Sequence, residues 1–309
     1  MHRLARELRR AIRYDGLFWR RFAYLGSAYG PWWWRRYSPT AIGAIFWAVL
    51  PEKRRIVLEN LGRILDRRAA ASRIARERIA LQTFVNFARC LTDCLEAAGP
   101  NPPEFEVETD GDRILGEALS RGRGGVMVTA HLGNWELIGR LVCRKGFPIT
   151  VAMARERNES VRGFVEWHRG QEGVEIVYTD GSVFGALDML RVLRANRILA
   201  LQLDRPSGGD GDRVVPFFGV PTRFPLGPFL LAQAAGAPVL PVFTFLAGHH
   251  RYVVEQGDIG VVGRKGGVAA AQAALDSTVR MLEDAVRRHP DQWFHFTAIG
   301  GEGWAAPGA

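Results

Sequence analysis

Cysteine is scarce in this 309-residue chain: Cys90, Cys94 and Cys143 are too few, and odd in number, for a disulfide framework. A reducing compartment fits that usage. No apolar run approaches the ~20 residues a bilayer-crossing helix needs. The best, Ala41–Leu50, is bounded by Arg36 upstream and by Pro51, Glu52 and Lys53 downstream. A second stretch, Phe22–Trp34, is interrupted by Gly26, Gly30 and Pro31. A basic segment, an apolar segment and a cleavage site do not follow one another as in a secretory signal. Glycine (35) and proline (16) show no period, which excludes collagen-like and low-complexity chains. There is no internal repeat. Intrinsic disorder is excluded as well, because 47% of the residues are hydrophobic and only 24% charged.

What the chain has is positive charge in one place. The formal net charge is +9. Residues 1–36 carry nine arginines and no lysine against two acids, Glu7 and Asp15, so +7 lies there and the remainder is close to neutral. Five of the nine tryptophans are also early: Trp19, Trp32, Trp33, Trp34 and Trp47. Arginine beside amphipathic rings is the composition of a membrane interface. Residues 1–50 therefore read as a segment that lies on or dips into an anionic membrane without crossing it. A nucleic-acid partner is not expected, since no recognised nucleic-acid motif accompanies the charge.

The pattern divides the chain into three parts. Residues 1–50 are the basic, Trp-rich helices. Residues 51–103 form a helical segment packed on the core, with helical spacing over Glu52–Asp66 and Ala70–Ala98 and a stop at Gly99-Pro100-Asn101-Pro102-Pro103. From 104 to 309 short strands and helices alternate. Strands are predicted at 105–108, 126–130, 149–153, 174–178, 198–203, 239–245 and 252–256, and helices at 112–120, 134–145, 159–170, 184–195, 226–235 and 267–289. Alternation of this kind argues for an α/β sandwich around a central sheet.

The most informative stretch runs from Val126 to Gly139: VMVTA, then His131-Leu-Gly-Asn134-Trp-Glu136. A buried strand ends and a helix begins, so His131 falls at the carboxyl end of a strand, where open α/β sheets bind ligands. Gly133 permits a tight turn and Asn134 is a good N-cap. Glu136 falls in the first helical turn, where an acid suits the dipole. On one continuous helix His131 and Glu136 would stand about 140° apart; across a turn they can meet. A histidine backed by a carboxylate is the arrangement of a general base. The alternative is a core histidine that caps a turn.

HLGNWE resembles the His-x4-acid motif of the glycerolipid acyltransferase superfamily. The longer context resembles its lipid A late acyltransferase (lauroyl/myristoyl) and phosphatidylinositol mannoside acyltransferase branch. Leu50-Pro51 through Asn60-Leu61 resembles the early LP-x-x-R…NL segment, and Arg155-Glu-Arg157-Asn158 the Arg/Asn block. Gln202-Leu-Asp204-Arg205-Pro206 with Val215–Pro221 resembles the mid-chain block, Gly236–Val242 the last core block, and Gln292-Trp293-Phe294 the C-terminal QW element.

The resemblance implies a glycerolipid acyltransferase-like fold with a mostly parallel sheet. It also implies transfer of a fatty acyl group from an acyl-ACP or acyl-CoA thioester to a hydroxyl of a lipid or glycolipid, with no cofactor and no metal. His131 would be the general base and Glu136 its helper. Asn134, Arg155, Arg157, Asn158, Asp204 and Arg205 would bind substrate, with Arg155 or Arg157 on a phosphate. Backbone amides near Gly133–Trp135, or a nearby arginine, would stabilise the thioester oxygen. The expected place is the cytoplasmic face of the inner membrane, peripheral or monotopic. A non-catalytic membrane-binding protein and a hydrolase on the same fold are the competing readings.

Other groups carry less chemistry. Cys90 and Cys94, four apart, read as core packing. Ser207–Arg213 reads as a flexible loop over the site, lacking EF-hand spacing. His249-His250 reads as a turn. The kinked apolar stretches Pro216–Pro221 and Phe224–Phe229 suit either an acyl groove or the core.

Overall fold

A computed structural model describes residues 17–66, 72–154, 173–179, 183–209, 211–257 and 260–300, with Glu159, Arg162, Gly163, Trp167 and Gly170. It opens with a helix pair, α1 (Leu17–Tyr29) and α2 (Trp32–Val49). Pro31, in an extended conformation, starts α2. Gly43 lets α2 approach the later α4 (Arg73–Ala97) closely, since a Cβ there would lie 2.6 Å from the Val85 Cα. Helix α3 (Pro51–Ile64) starts with proline at its first turn, followed by Glu52. Helix α4 is capped by Ser72, whose Oγ accepts from the Ala75 amide at 3.2 Å. Among the described residues no helix is long and apolar enough to cross a membrane.

The remainder is mixed α/β. Its elements are β1 (Glu106–Glu108), α5 (Gly111–Ser120), β2 (Gly125–Thr129), α6 (Trp135–Arg144), β3 (Ile149–Ala154), β4 (Glu175–Thr179), α7 (Val183–Arg194) and β5 (Ile198–Gln202). Then come β6 (Asp212–Phe217), β7 (Val220–Pro225), α8 (Gly227–Ala235), β8 (Pro238–Gly248), β9 (Arg251–Gln256), β10 (Gly260–Val261) and α9 (Gly267–Arg288). The main sheet has the order β1-β9-β8-β2-β5-β3-β4, with β10 also on β8. Strands β8, β2, β5, β3 and β4 are mutually parallel, and β9 runs antiparallel to β8.

The centre of this sheet is covered on both faces, which is why its strands read as unbroken apolar runs. Every residue of β2 is buried. Val126 and Val128 join a core with Leu193 of α7, Phe229 of α8 and Leu275, Val279 and Leu282 of α9. Met127, pointing the other way, joins Cys90 of α4, Leu115 of α5 and Leu137 of α6. Burial of Cys90 and Cys94 agrees with the packing role expected of them.

Two loops differ from expectation. The proline-kinked segment is a two-stranded ribbon, β6–β7, separate from the main sheet. Its turn is Phe218-Gly219, both at positive φ. Three prolines speak against a strand, but a ribbon with two open edges tolerates them. Phe217 and Phe224 of this ribbon are wholly buried, so the core reading holds for them. The Ser207–Arg213 loop is tied down rather than loose. Buried Asp212 accepts from the Ser207 amide and hydroxyl and from the Gly208 amide.

Candidate active site

Strands β2 and β5 are parallel neighbours in a register that sets Thr129 opposite Gln202. Two residues further on, at the carboxyl edge, stand His131 and Asp204. The register therefore brings together two side chains 73 positions apart. His131 Nδ1 lies 2.8 Å from Asp204 Oδ1, and the His131 amide donates to Asp204 Oδ2 at 3.0 Å. The Trp293 indole Nε1 donates to the same Oδ2 at 3.0 Å. Asp204 is fully buried, whereas the His131 side chain keeps 15% exposure. Among the described residues nothing bonds His131 Nε2. The imidazole thus offers one nitrogen outward and spends the other on a carboxylate.

The charge state of this pair follows from its surroundings. Burial pushes the Asp204 carboxyl up, but the attraction of His131, its hydrogen bond and His295 beyond it outweigh burial and hold the group well below its ordinary range. His295, whose Nδ1 lies 3.8 Å from Asp204 Oδ2, is pushed down by burial more than Asp204 pulls it up. An ionised Asp204 makes Nδ1 the protonated nitrogen and leaves the Nε2 lone pair free to take a proton.

The other expected site residues fall differently. Glu136 is in the first turn of α6 and ion-pairs with Arg140 one turn on, at 3.8 Å. The carboxylate on His131 is Asp204, a residue that sequence reasoning had set among the substrate contacts. Its signal was its place at the end of a buried strand; what was missing was the identity of the neighbouring strand. Asn134 caps α6, its Oδ1 accepting from the Leu137 amide at 3.3 Å. Its Nδ2 donates to Cys90 O at 2.8 Å and to Tyr252 Oη at 3.0 Å. That side chain is buried, and both of these bonds go to the scaffold. The Gly133 amide, expected near the thioester oxygen, donates to Gln292 O at 2.9 Å. Arg205 is exposed beside the pair. Arg155, Arg157 and Asn158 lie outside the described residues.

Behind Asn134 is a second polar cluster that the sequence did not disclose. Tyr252 Oη donates to Asp93 Oδ2, and His250 Nε2 lies 3.0 Å from Glu96 Oε2 and 3.6 Å from Asp93 Oδ1. Burial, opposed by the Tyr252 hydrogen bond and by His250, pushes the Asp93 carboxyl up to about 6. Asp93, His249 and His250 bring ligand atoms within 4.8 Å of one another. The cluster finds partners within the protein: Tyr252 donates to Asp93, His250 lies on Glu96, and Arg35 stands 3.9 Å from Glu96. The arrangement is a partly buried polar network that joins α4 to the β8–β9 turn.

Comparison with known proteins supplies the family. Residues 8–298 match the family model described as bacterial lipid A biosynthesis acyltransferase. Phosphatidylinositol mannoside acyltransferases of Mycobacterium tuberculosis, strains CDC 1551 / Oshkosh and ATCC 25618 / H37Rv, are each 34% identical over 145 residues, 44% of this chain and 45% of theirs. That of Mycolicibacterium smegmatis strain ATCC 700084 / mc(2)155 is 35% identical over 136 residues, 43% of this chain and 44% of its own. The matched stretch spans less than half the length of these curated relatives. The family match, by contrast, covers nearly the whole chain, and the chain belongs to the bacterial lipid A biosynthesis acyltransferase family.

Proposed function

We propose that this chain transfers a fatty acyl group from an acyl thioester, on acyl carrier protein or coenzyme A, to a hydroxyl of a lipid or glycolipid. The observation that carries the reading is the His131–Asp204 pair at the carboxyl edge of a parallel sheet, in a chain of this family. His131 Nε2 takes the proton of the acceptor hydroxyl as its oxygen bonds to the thioester carbonyl carbon. The carbon–sulfur bond then breaks, and the proton passes from Nε2 to the departing thiolate. No covalent acyl-enzyme is needed, and the buried Cys90 and Cys94 take no part. Asp204 holds the tautomer and offsets the imidazolium that forms. Glu136, with Arg140, carries charge on the α6 side of His131. Arg155, Arg157, Asn158 and Arg205 are assigned to substrate, a phosphate being the chemistry that suits the arginines.

The same reading puts the enzyme at the cytoplasmic face of the inner membrane, bound through α1 and α2. Phe18, Phe22, Tyr29, Trp32, Trp33 and Tyr37 are exposed there among Arg20, Arg21, Arg35 and Arg36. Exposed rings beside arginine fit an anionic interface. The test uses purified full chain, membranes carrying the acceptor and labelled acyl-carrier-protein or acyl-CoA donors. His131→Ala is expected to abolish transfer, and undiminished transfer by that variant would defeat the mechanism.

A further inference from the structure

The segment Gln292–His295 does more than close the core. The Gln292 side chain clamps β8, accepting from the Leu246 amide at 2.7 Å and donating to the Leu246 carbonyl at 3.0 Å. The following main chain brackets the His131 turn. Gln292 O accepts from the Gly133 amide at 2.9 Å, and the Phe294 amide donates to His131 O at 2.7 Å. Leu132 and Trp293 form a β-bridge between these two bonds.

The clamp fixes a ring. The Trp293 indole is buried, edge-on to Phe217 at 5.6 Å and stacked on His295 at 4.7 Å with 7° between planes. A buried ring stacked on His295 and packed edge-to-face with Phe217 has little room to turn, and its N–H ends on Asp204 Oδ2, 3.0 Å away. Once its backbone is set, a carboxylate keeps rotation about its own axis, which is a broad torsion for aspartate. Donors on Oδ2 remove that freedom and keep Oδ1 on His131 Nδ1.

We infer that Trp293 is a positioning residue for the general base: its indole N–H orients Asp204 and shares its negative charge, and so governs the alignment and basicity of His131. The consequence for rate rests on the acyltransferase reading; the geometry does not. Without this donor the carboxylate turns more freely and misaligns the base. It also concentrates its charge on the remaining bonds and holds the imidazolium proton more tightly. The proton is then lost only at higher pH.

Trp293→Phe keeps an aromatic ring against Phe217 and His295 and removes the indole N–H together with part of the fused ring. In the full chain kcat is expected to fall by about tenfold with donor KM within about twofold, and the acidic limb of the kcat/KM profile to move up by about half a pH unit or more. An unmoved acidic limb, with or without a fall in kcat, overturns the inference, because a ring that merely fills space does not shift a titration. Inactive wild-type protein would instead count against the acyltransferase reading. The positioning claim is then decided by nuclear magnetic resonance, as it also is should Trp293→Phe not fold. In wild-type protein the Trp293 indole N–H is expected well downfield, moving upfield in Asp204→Asn as its acceptor loses charge. An unchanged indole resonance overturns the inference.

Discussion

Exchanging Asp204 for asparagine changes one atom in shape and reverses the base. The carboxylate receives three donors: His131 Nδ1 on Oδ1, and the His131 amide and Trp293 Nε1 on Oδ2. Asparagine has a single acceptor oxygen. Placed at the Oδ2 position, that oxygen keeps two donors satisfied and turns its own NH2 toward Nδ1. The opposite flip sets the NH2 against two buried N–H groups, each unmade bond costing about 1–3 kcal/mol, so the first arrangement wins. Nδ1 must then accept, the proton moves to Nε2, and the nitrogen that should take the hydroxyl proton already carries one.

To regain the productive tautomer the variant must face a donor with a donor. It also forgoes a bond to a charged group, for about 3–5 kcal/mol in all. At about 1.4 kcal/mol per decade that is a loss of about two to four orders of magnitude in kcat. In Ser–His–Asp hydrolases the equivalent exchange lowers kcat by about 10⁴ through the same reversal. Some stability should be lost as well, because the fold favours the ionised Asp204 and the exchange removes one partner of a buried pair. The assay is steady-state acyl transfer by Asp204→Asn, with circular dichroism to confirm the fold and ¹⁵N spectra to read the tautomer. Folded variant with kcat within tenfold of wild type would refute the reasoning.

Three other outcomes are expected. Gly133→Ala should destabilise the protein by more than about 2 kcal/mol, because φ there is positive and a Cβ would lie 2.0 Å from the Thr244 carbonyl oxygen. Thermal melting reads that loss, and an unchanged Tm would contradict the close approach. Asp93 bears on pH dependence. Its carboxyl is raised to about 6 in the fold, so the protonated form is favoured there. The destabilisation by its charge is absent below about pH 4, grows as pH rises and is complete above about pH 6. Relative to wild type, Asp93→Asn should therefore gain Tm between pH 4 and 7, and a flat difference would speak against the buried charge. Replacing exposed Trp32 and Trp33 together by serine should weaken binding to anionic vesicles by about tenfold or more, read by co-sedimentation. Unaltered sedimentation would argue against α1–α2 as the membrane surface.

How much of this was legible in the sequence varies residue by residue. The strand–turn–helix around His131 was readable, because VMVTA is a buried run and Asn134 announces a cap. The strands 149–153 and 198–203 and the helix 267–289 were readable for the same reason: period and punctuation are local. The β6–β7 ribbon was hidden by its prolines, and the grip of Asp212 on its loop by the glycines around it. Asn134 was seen as a cap and also set on the substrate; only the buried neighbours Cys90 and Tyr252 show where its amide is spent. Asp93, Glu96 and His250 gave no sign of meeting, since they lie on a helix and a turn 154 or more positions apart.

The partner of His131 marks the division most clearly. Sequence by itself determined that a histidine ends a buried strand, that an acid opens the next helix, and that the chain's excess arginine stands among early tryptophans. Helical and strand periodicity, capping and charge need only near neighbours to be expressed. Which carboxylate meets the imidazole was decided by the tertiary structure. Glu136, five positions away, sits on a helix whose own spacing gives it Arg140. Asp204, 73 positions away, is brought to Nδ1 because β2 and β5 lie side by side in parallel register. Strand order in such a sheet depends on how helices pack across its faces, a long-range balance that no local pattern along the chain encodes.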